Sequence, residues 1–448
     1  MLEQITAWND ILPGILWLII LGFYFHYQFA KKGGTANAKF YLSNFYFKIA
    51  LATAFGLTYA LLLDGGDTYA YFQCAEKLNQ LFFVSPKTYF SELFNTPTLV
   101  TYYENFSPEL GYPPGWIYKE PESYLISKLL SIISFFTFNS YWAITVVLAG
   151  ISASITYSFY LFIRKKEIVS ELKLALVILF IPSVSFWCTG ISKDTFVFLG
   201  ILTGVISGLS MLKTNQENRI FHIVLFIISC YLLLKIRTFF LLTLLVPLFI
   251  SFSVKVARRF SGQIVILQFI RFLIFSISLL AVVTYLNFSK SFGSLSPDNI
   301  IQEATITQQD FSQNSTYGED KYEIKVDEYS YQGLLKVSPQ SIFAGIYRPL
   351  PNEASKLSLI INGLESFVLL LLTLLFIYPV GLKKRIVFIR KSELLVFCLF
   401  FSLILAFMTG FSSGLFGVLV RLRAPLLPFF ALLLVVGIWG KYKYETKE

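Results

Sequence analysis

Residues 61–72 read LLLDGGDTYAYF. An apolar run long enough to cross a membrane precedes this stretch, and about fifty residues too polar to cross follow it. Two carboxylates, Asp64 and Asp67, flank two glycines at the junction. Glycine lets a chain leave a helix and turn at little steric cost. The stretch reads as the end of a membrane helix that delivers two acids to a membrane surface. The rest of the chain reads as a scaffold around that point.

Composition supports this. Of 448 residues, 55% are hydrophobic and 14% are charged, where a soluble protein carries about a quarter charged. The 47 Phe and 26 Tyr suit a lipid-facing surface with aromatic belts. The expected fold class is an all-α integral membrane protein, one polytopic domain over 1–448. The net charge of +10 falls between apolar runs, as membrane topology requires, and not in a basic soluble domain that would hold nucleic acid. Cys74, Cys188, Cys230 and Cys398 lack metal or redox spacing. With His26 and His222 as the only histidines, the sequence argues against a histidine-built metal site or a histidine base.

A span needs roughly 17–25 apolar residues. About eleven runs qualify: 11–30, 44–63, 141–163, 172–189, 195–212, 220–236, 238–254, 264–287, 357–380, 393–411 and 424–440. The first lacks the basic start of a signal peptide and is expected to remain as a helix. Basic clusters follow alternate spans: Lys31, Lys32 and Lys39; Arg164, Lys165 and Lys166; Lys255, Arg258 and Arg259; Lys383, Lys384, Arg385, Arg390 and Lys391; Lys441, Lys443 and Lys447. They share one side if the N-terminus is outside and the C-terminus cytoplasmic. Segments 64–140 and 288–356 then form two large outer loops. In the first, residues 86–106 are aromatic without being apolar enough to span. ESYLISKLLSIISFF, within 122–137, alternates at helical spacing, so this loop is expected to hold interfacial helices. GYPPGW at 111–116 reads as a rigid turn, and the polar residues 296–330 as mobile or a small lid.

Charged groups at membrane depth are costly and usually functional. The outer ends of the spans hold Asp64 and Asp67; Lys193 and Asp194 in FWCTGISKD; Lys235 and Arg237 in YLLLKIRTFF; Arg348 and Glu353 in IYRPLPNEASK; and Arg421 and Arg423 in VRLRAPLLPFF. Each has a plain structural reading as a cap, a turn residue or a headgroup anchor. Together they suggest chemistry. Lysine and arginine hold phosphates, arginine bidentately. A carboxylate takes the proton of an attacking hydroxyl. Asp64 and Asp67 also offer oxygen ligands to a divalent cation, although two acids alone are a weak metal signal.

The acid at the start of the first large outer loop resembles that of the GT-C superfamily of membrane glycosyltransferases. RLRAPLLPFFALLL (421–434) is similar to the Arg-x-Arg-x-Pro-x-x-Pro start of a late span in such proteins. FWCTGISKD (186–194) and YRPLPNEASKLSLIINGLES (347–366) resemble stretches of glycosyltransferase-like bacterial membrane proteins. The resemblance is patchy and covers about a sixth of the chain. It implies a polyprenyl-phosphate-linked sugar as donor, a catalytic Asp at Asp67 or Asp64, and interfacial helices in the first outer loop. Two features differ from the family's usual pattern: the span at 11–30 and the spacing Asp-Gly-Gly-Asp.

The expectation is a transferase of the bacterial inner membrane. It would move a sugar to a glycan or lipid-linked acceptor at the outer face, in envelope polysaccharide assembly. Asp67 would be the base and Asp64 its alternative or a metal ligand. Lys193, Asp194, Arg237, Arg348, Glu353, Arg421 and Arg423 would line the substrate. A polymerase or ligase using polyprenyl-pyrophosphate glycans is the nearest alternative. A lipid-linked glycan flippase is a third reading; it needs polar groups near mid-membrane.

Overall fold

The structure, a computed structural model, describes residues 6–166, 168–211, 218–259, 321–322, 324, 331–354 and 357–440. The expected span 264–287 and most of segment 296–330 lie outside the described residues. What is described is helical, with no strand beyond a single bridge between Lys321 and Leu415. Nine of the described helices are long and apolar enough to cross a membrane. The protein is an all-helical, multi-pass membrane protein.

The chain divides into two compact units. Unit 1 takes 1–166, 178–207 and 218–241; unit 2 takes the remainder. The helices of unit 1 are α1 (Trp8–Lys31), α2 (Ala36–Leu62), α3 (Gly66–Val84), α4 (Pro86–Phe94), α5 (Leu99–Asn105), α6 (Gly115–Lys119), α7 (Pro121–Thr137) and α8 (Tyr141–Arg164). After α9 (Glu171–Leu179), which lies mostly in unit 2, unit 1 continues with α10 (Pro182–Trp187), α11 (Lys193–Met211) and α12 (Arg219–Ile236).

α1, α2 and α8 form the heart of unit 1. Asp10 near the start of α1 meets Tyr141 at the start of α8, so these two run side by side. The α2 side chain Asn44 donates to the Ala153 carbonyl (2.9 Å) and to Thr156 Oγ1 (3.3 Å), halfway along α8. At the far end, Lys32 Nζ sits 4.1 Å from the centre of the Tyr41 ring and 4.8 Å from that of Tyr157. α1 leaves Leu12, Ile15, Leu16, Ile19 and Phe23 exposed, a face that suits lipid.

Two sequence expectations change here. The run 172–189 is two short helices, α9 and α10, with Pro182 opening the second. Proline lacks the N–H of a continuing helix and disfavours helical geometry in the residue before it. Second, α7 is not simply amphipathic on an interface. It buries Ser123, Ser127, Ser131 and Ser134 together with Ile126 and Leu130, and exposes Ile132 and Phe136. Its small serines let α3 pack along it.

Unit 2 contains α13 (Thr238–Arg259), α14 (Tyr331–Tyr347), α15 (Leu357–Ile377), α16 (Leu382–Lys391), α17 (Glu393–Ser412), α18 (Phe416–Leu422) and α19 (Leu427–Trp439). α14 falls in the segment expected as the second outer loop, yet it packs closely along α17. Gly345 lies against the backbone of Ala406, and Gly410 against the carbonyl of Ser341. A Cβ at either glycine would collide with backbone, so this approach requires glycine. The sequence hides the helix because Lys336, Pro339 and Gln340 interrupt its apolar pattern.

Candidate functional site

The DGGD stretch is a three-residue turn from α2 straight into α3. The Tyr59 carbonyl accepts from Leu63 N–H at 3.3 Å and from Gly65 N–H at 2.8 Å. Asp64, Gly65 and Gly66 all have positive φ (45°, 87° and 46°). A Cβ on Gly66 would lie 3.0 Å from the Tyr59 ring, so glycine is needed for space as well as for conformation. Asp64 is exposed at the tip. Asp67 is half-buried in the first turn of α3, where a helix N-terminus favours a carboxylate. It therefore opens the following helix; it does not close the preceding span.

Behind the turn lies a small crevice of about 10 Å³, room for about one water molecule, lined by Gly56, Tyr59, Ala60, Gly65, Thr68, Tyr69 and Tyr141. The hydroxyls of Thr68 and Tyr141 are 3.0 Å apart. Tyr141 is held by a residue the sequence did not single out. Buried Asp10 accepts from the Tyr141 N–H (2.7 Å), and its backbone carbonyl accepts from Ser140 Oγ (2.7 Å). Burial, then the charges of Glu76 and Asp10, push the Tyr69 hydroxyl up to about 12. Burial also raises Glu76, against the pull of Lys77.

The same end of unit 1 carries the charges at the start of α11 and the end of α12. Lys193 Nζ lies 3.6 Å from Glu120 and 3.8 Å from Glu122. Asp194, 1% exposed, pairs with Arg237 at 2.9 Å. The sequence singled out Lys193, Asp194 and Arg237 but missed both glutamates, which sit some seventy residues away at the start of α7. Lys235 is exposed.

In unit 2, Arg348 grips Glu353 through Nε (2.9 Å) and Nη2 (2.6 Å). The other oxygen of Glu353 accepts from Leu350 N–H at 2.8 Å. The guanidinium lies over the rings of Tyr322 (5.0 Å) and Phe416 (5.2 Å). Arg423 is 0% exposed. Its Nη1 donates to the carbonyls of Ile346 (3.0 Å) and Arg348 (2.6 Å), and its Nη2 to Ser366 Oγ (2.8 Å) and the Asn362 carbonyl (3.4 Å). Arg423 was expected to meet substrate. In this conformation it is enclosed and committed to backbone, and it braces α14, α15 and α18. Arg421, two residues earlier, is half-buried.

No family model, curated protein or solved structure matches this chain. Among the described residues, no group of three or more His, Cys, Asp or Glu side chains gathers as a metal site. Asp64 and Asp67 are thus two acids without a third ligand from those residue types, and no step is routed through a metal.

Like Asp10, the buried residues Lys48 and Glu92 escaped the sequence reading. Lys48, 1% exposed, sits halfway along α2, with Nζ 5.8 Å from the centre of the Phe198 ring. It stood in plain view as a lone cation in FYFKIALATAFG. Glu92, 2% exposed, accepts from Asn105 Nδ2 (2.5 Å), Tyr118 OH (3.0 Å) and Tyr124 OH (2.6 Å). It ties α4, α5, α6 and α7 into one body beside α3.

Proposed function

We propose that this protein is a transferase of the bacterial inner membrane. It moves a glycosyl group from a polyprenyl-phosphate carrier to a hydroxyl acceptor at the membrane face bearing Asp64 and Asp67. The observation that carries the reading is the glycine-built turn. It holds Asp64, a non-glycine residue, at positive φ between a span and two glycines, and sets Asp67 at a helix N-terminus beside a tyrosine-lined crevice. Strained turns of this kind tend to mark functional sites.

In the proposed reaction the acceptor oxygen attacks the anomeric carbon. The carbon–oxygen bond to phosphate breaks, and the phosphate leaves with the electron pair. Asp67 takes the hydroxyl proton. Lys193 and Arg237 meet the developing phosphate charge by exchanging their carboxylate partners for it. Arg348 and Arg421 keep partial exposure and are tested in the same assay. Arg423 is left out because it is fully buried and both its Nη groups are engaged.

The test is transfer from a lipid-linked sugar in proteoliposomes. Asp67→Asn is expected to cut the rate at least ~100-fold, the usual contribution of a positioned base, while the protein still inserts and remains monodisperse. Full activity in that variant removes Asp67 as base.

Transport of a lipid-linked glycan is the second reading, and one observation favours it. Lys48 places a buried cation halfway along a span. A translocation assay separates the two: transport predicts loss with Lys48→Met and indifference to Asp67→Asn.

A further inference from the structure

The basic helix α16 does more than mark a side of the membrane. It spans ten residues, LKKRIVFIRK, between the ends of α15 and α17. Gly381, with φ 82°, turns the chain into it, and Ser392 alone separates it from α17. Helices long and apolar enough to span flank it on both sides. A segment tethered this way stays at the membrane surface.

Its side chains divide by task. Ile389 is buried. Arg385 turns back to the end of α15 and donates to the carbonyls of Leu375 (3.0 Å), Phe376 (2.6 Å) and Tyr378 (3.2 Å). Leu375 and Phe376 lie in the last turn of α15, whose carbonyls lack partners within the helix, and arginine supplies donors for them. Lys383, Lys384, Arg390 and Lys391 are exposed and have no ion-pair partner among the described residues. Ile386 (41%) and Val387 (49%) are exposed beside them. The only acid in 378–393 is Glu393, in the first turn of α17.

Four unmatched cations interleaved with two exposed aliphatic residues, fixed at a bilayer surface, complement one chemistry. The cations suit phosphate diesters and the aliphatic side chains suit the acyl boundary. We infer that α16 is a binding surface for anionic phospholipid of the adjoining leaflet, and that Lys383, Lys384, Arg390 and Lys391 hold the headgroups. This stands apart from the transferase reading.

Spin-labelled lipids test it. Purified protein is reconstituted in phosphatidylcholine bilayers with trace spin-labelled phosphatidylglycerol or phosphatidylcholine, and electron paramagnetic resonance compares the fractions held at the protein. The wild type is expected to prefer the anionic lipid roughly fivefold or more, as one well-placed cation near such a headgroup provides. Replacing Lys383, Lys384, Arg390 and Lys391 by Gln is expected to abolish most of that preference, and the pair Lys383→Gln/Lys384→Gln about half on a logarithmic scale. Glutamine keeps helix propensity, and Arg385 stays in place. The pair variant serves if the fourfold one does not reconstitute. Replacing Lys31, Lys32 and Lys39 by Gln is expected to leave the preference intact.

Three results overturn the proposal. The wild type shows no preference; the α16 variants keep it; or the Lys31/Lys32/Lys39 variant loses as much, which makes the effect one of net charge. Inorganic phosphate at matched ionic strength distinguishes the source of the anion. Loss of the preference beyond that caused by chloride means a site for free phosphate, and it also defeats the lipid assignment.

Discussion

Lys48 and Arg423 are both buried cations, and their surroundings give them opposite energetics. Arg423 gives its two Nη groups to four oxygen acceptors. Removing it leaves buried carbonyls without donors, at about 1–3 kcal/mol for each group stranded. Lys48 has an aromatic ring nearby and no ion-pair partner among the described residues. Burying an ammonium so poorly compensated costs stability. Lys48→Met is therefore expected to raise the unfolding midpoint in detergent, and Arg423→Leu to lower it by the equivalent of at least ~2 kcal/mol. A thiol-reactive dye reads both once half-buried Cys230 is replaced by Ser, since Cys74, Cys188 and Cys398 are buried until the protein opens. A fall with Lys48→Met would mean that the ammonium meets an anion in the working protein. At this scale the sequence was half-legible. Charges at span ends drew the eye, while Lys48 and Asp10 lay inside apolar runs and Glu92 acquired its meaning from tyrosines 26 and 32 residues away.

Among elements, apolar length was the readable signal. The ends of α8, α11, α12 and α17 fall close to the apolar runs, because lipid demands a continuous stretch whatever the neighbours. What packing decides was hidden. α14 looked like loop because a helix lodged against α17 through Gly345 and Gly410 does not need an apolar surface all round. α3 looked like the start of a loop because its polar residues Thr68, Lys77 and Asn79 find partners in Tyr141, the Leu110 carbonyl and Asn139. α3 also carries a titration with a readable sign. Burial raises Glu76 above the ordinary value of 4.5, so the folded protein holds that proton more tightly than the unfolded chain. Its contribution to stability is complete below about 4.5 and is lost as pH climbs through the raised value. The unfolding midpoint, followed by tryptophan fluorescence, is expected to carry this downward component from pH 4.5 upward. Glu76→Gln is expected to remove it. An unchanged slope in that variant would assign the proton elsewhere.

For the molecule as a whole, charge asymmetry and helix direction converge within unit 1. α1 and α8 start, and α2 ends, at the face holding Asp10, the Asp64–Asp67 turn and Tyr141. Their opposite ends carry Lys31, Lys32 and Lys39 near one another and Arg164, Lys165 and Lys166 after α8. One face of the unit is thus rich in acids and the other in cations. The bias of lysine and arginine in short loops orients such chains with the cations retained in the cytoplasm. Asp64 and Lys165 are exposed near opposite ends of the unit, which makes them fit reporters. With the native cysteines replaced, Asp64→Cys is expected to react with a membrane-impermeant maleimide in intact cells. Lys165→Cys is expected to react only after the membrane is opened. The reverse pattern would put Asp67 on the cytoplasmic side. The glycosyl donor would then have to be sought in that leaflet, and the cationic helix α16 would need its own side determined by the same labelling.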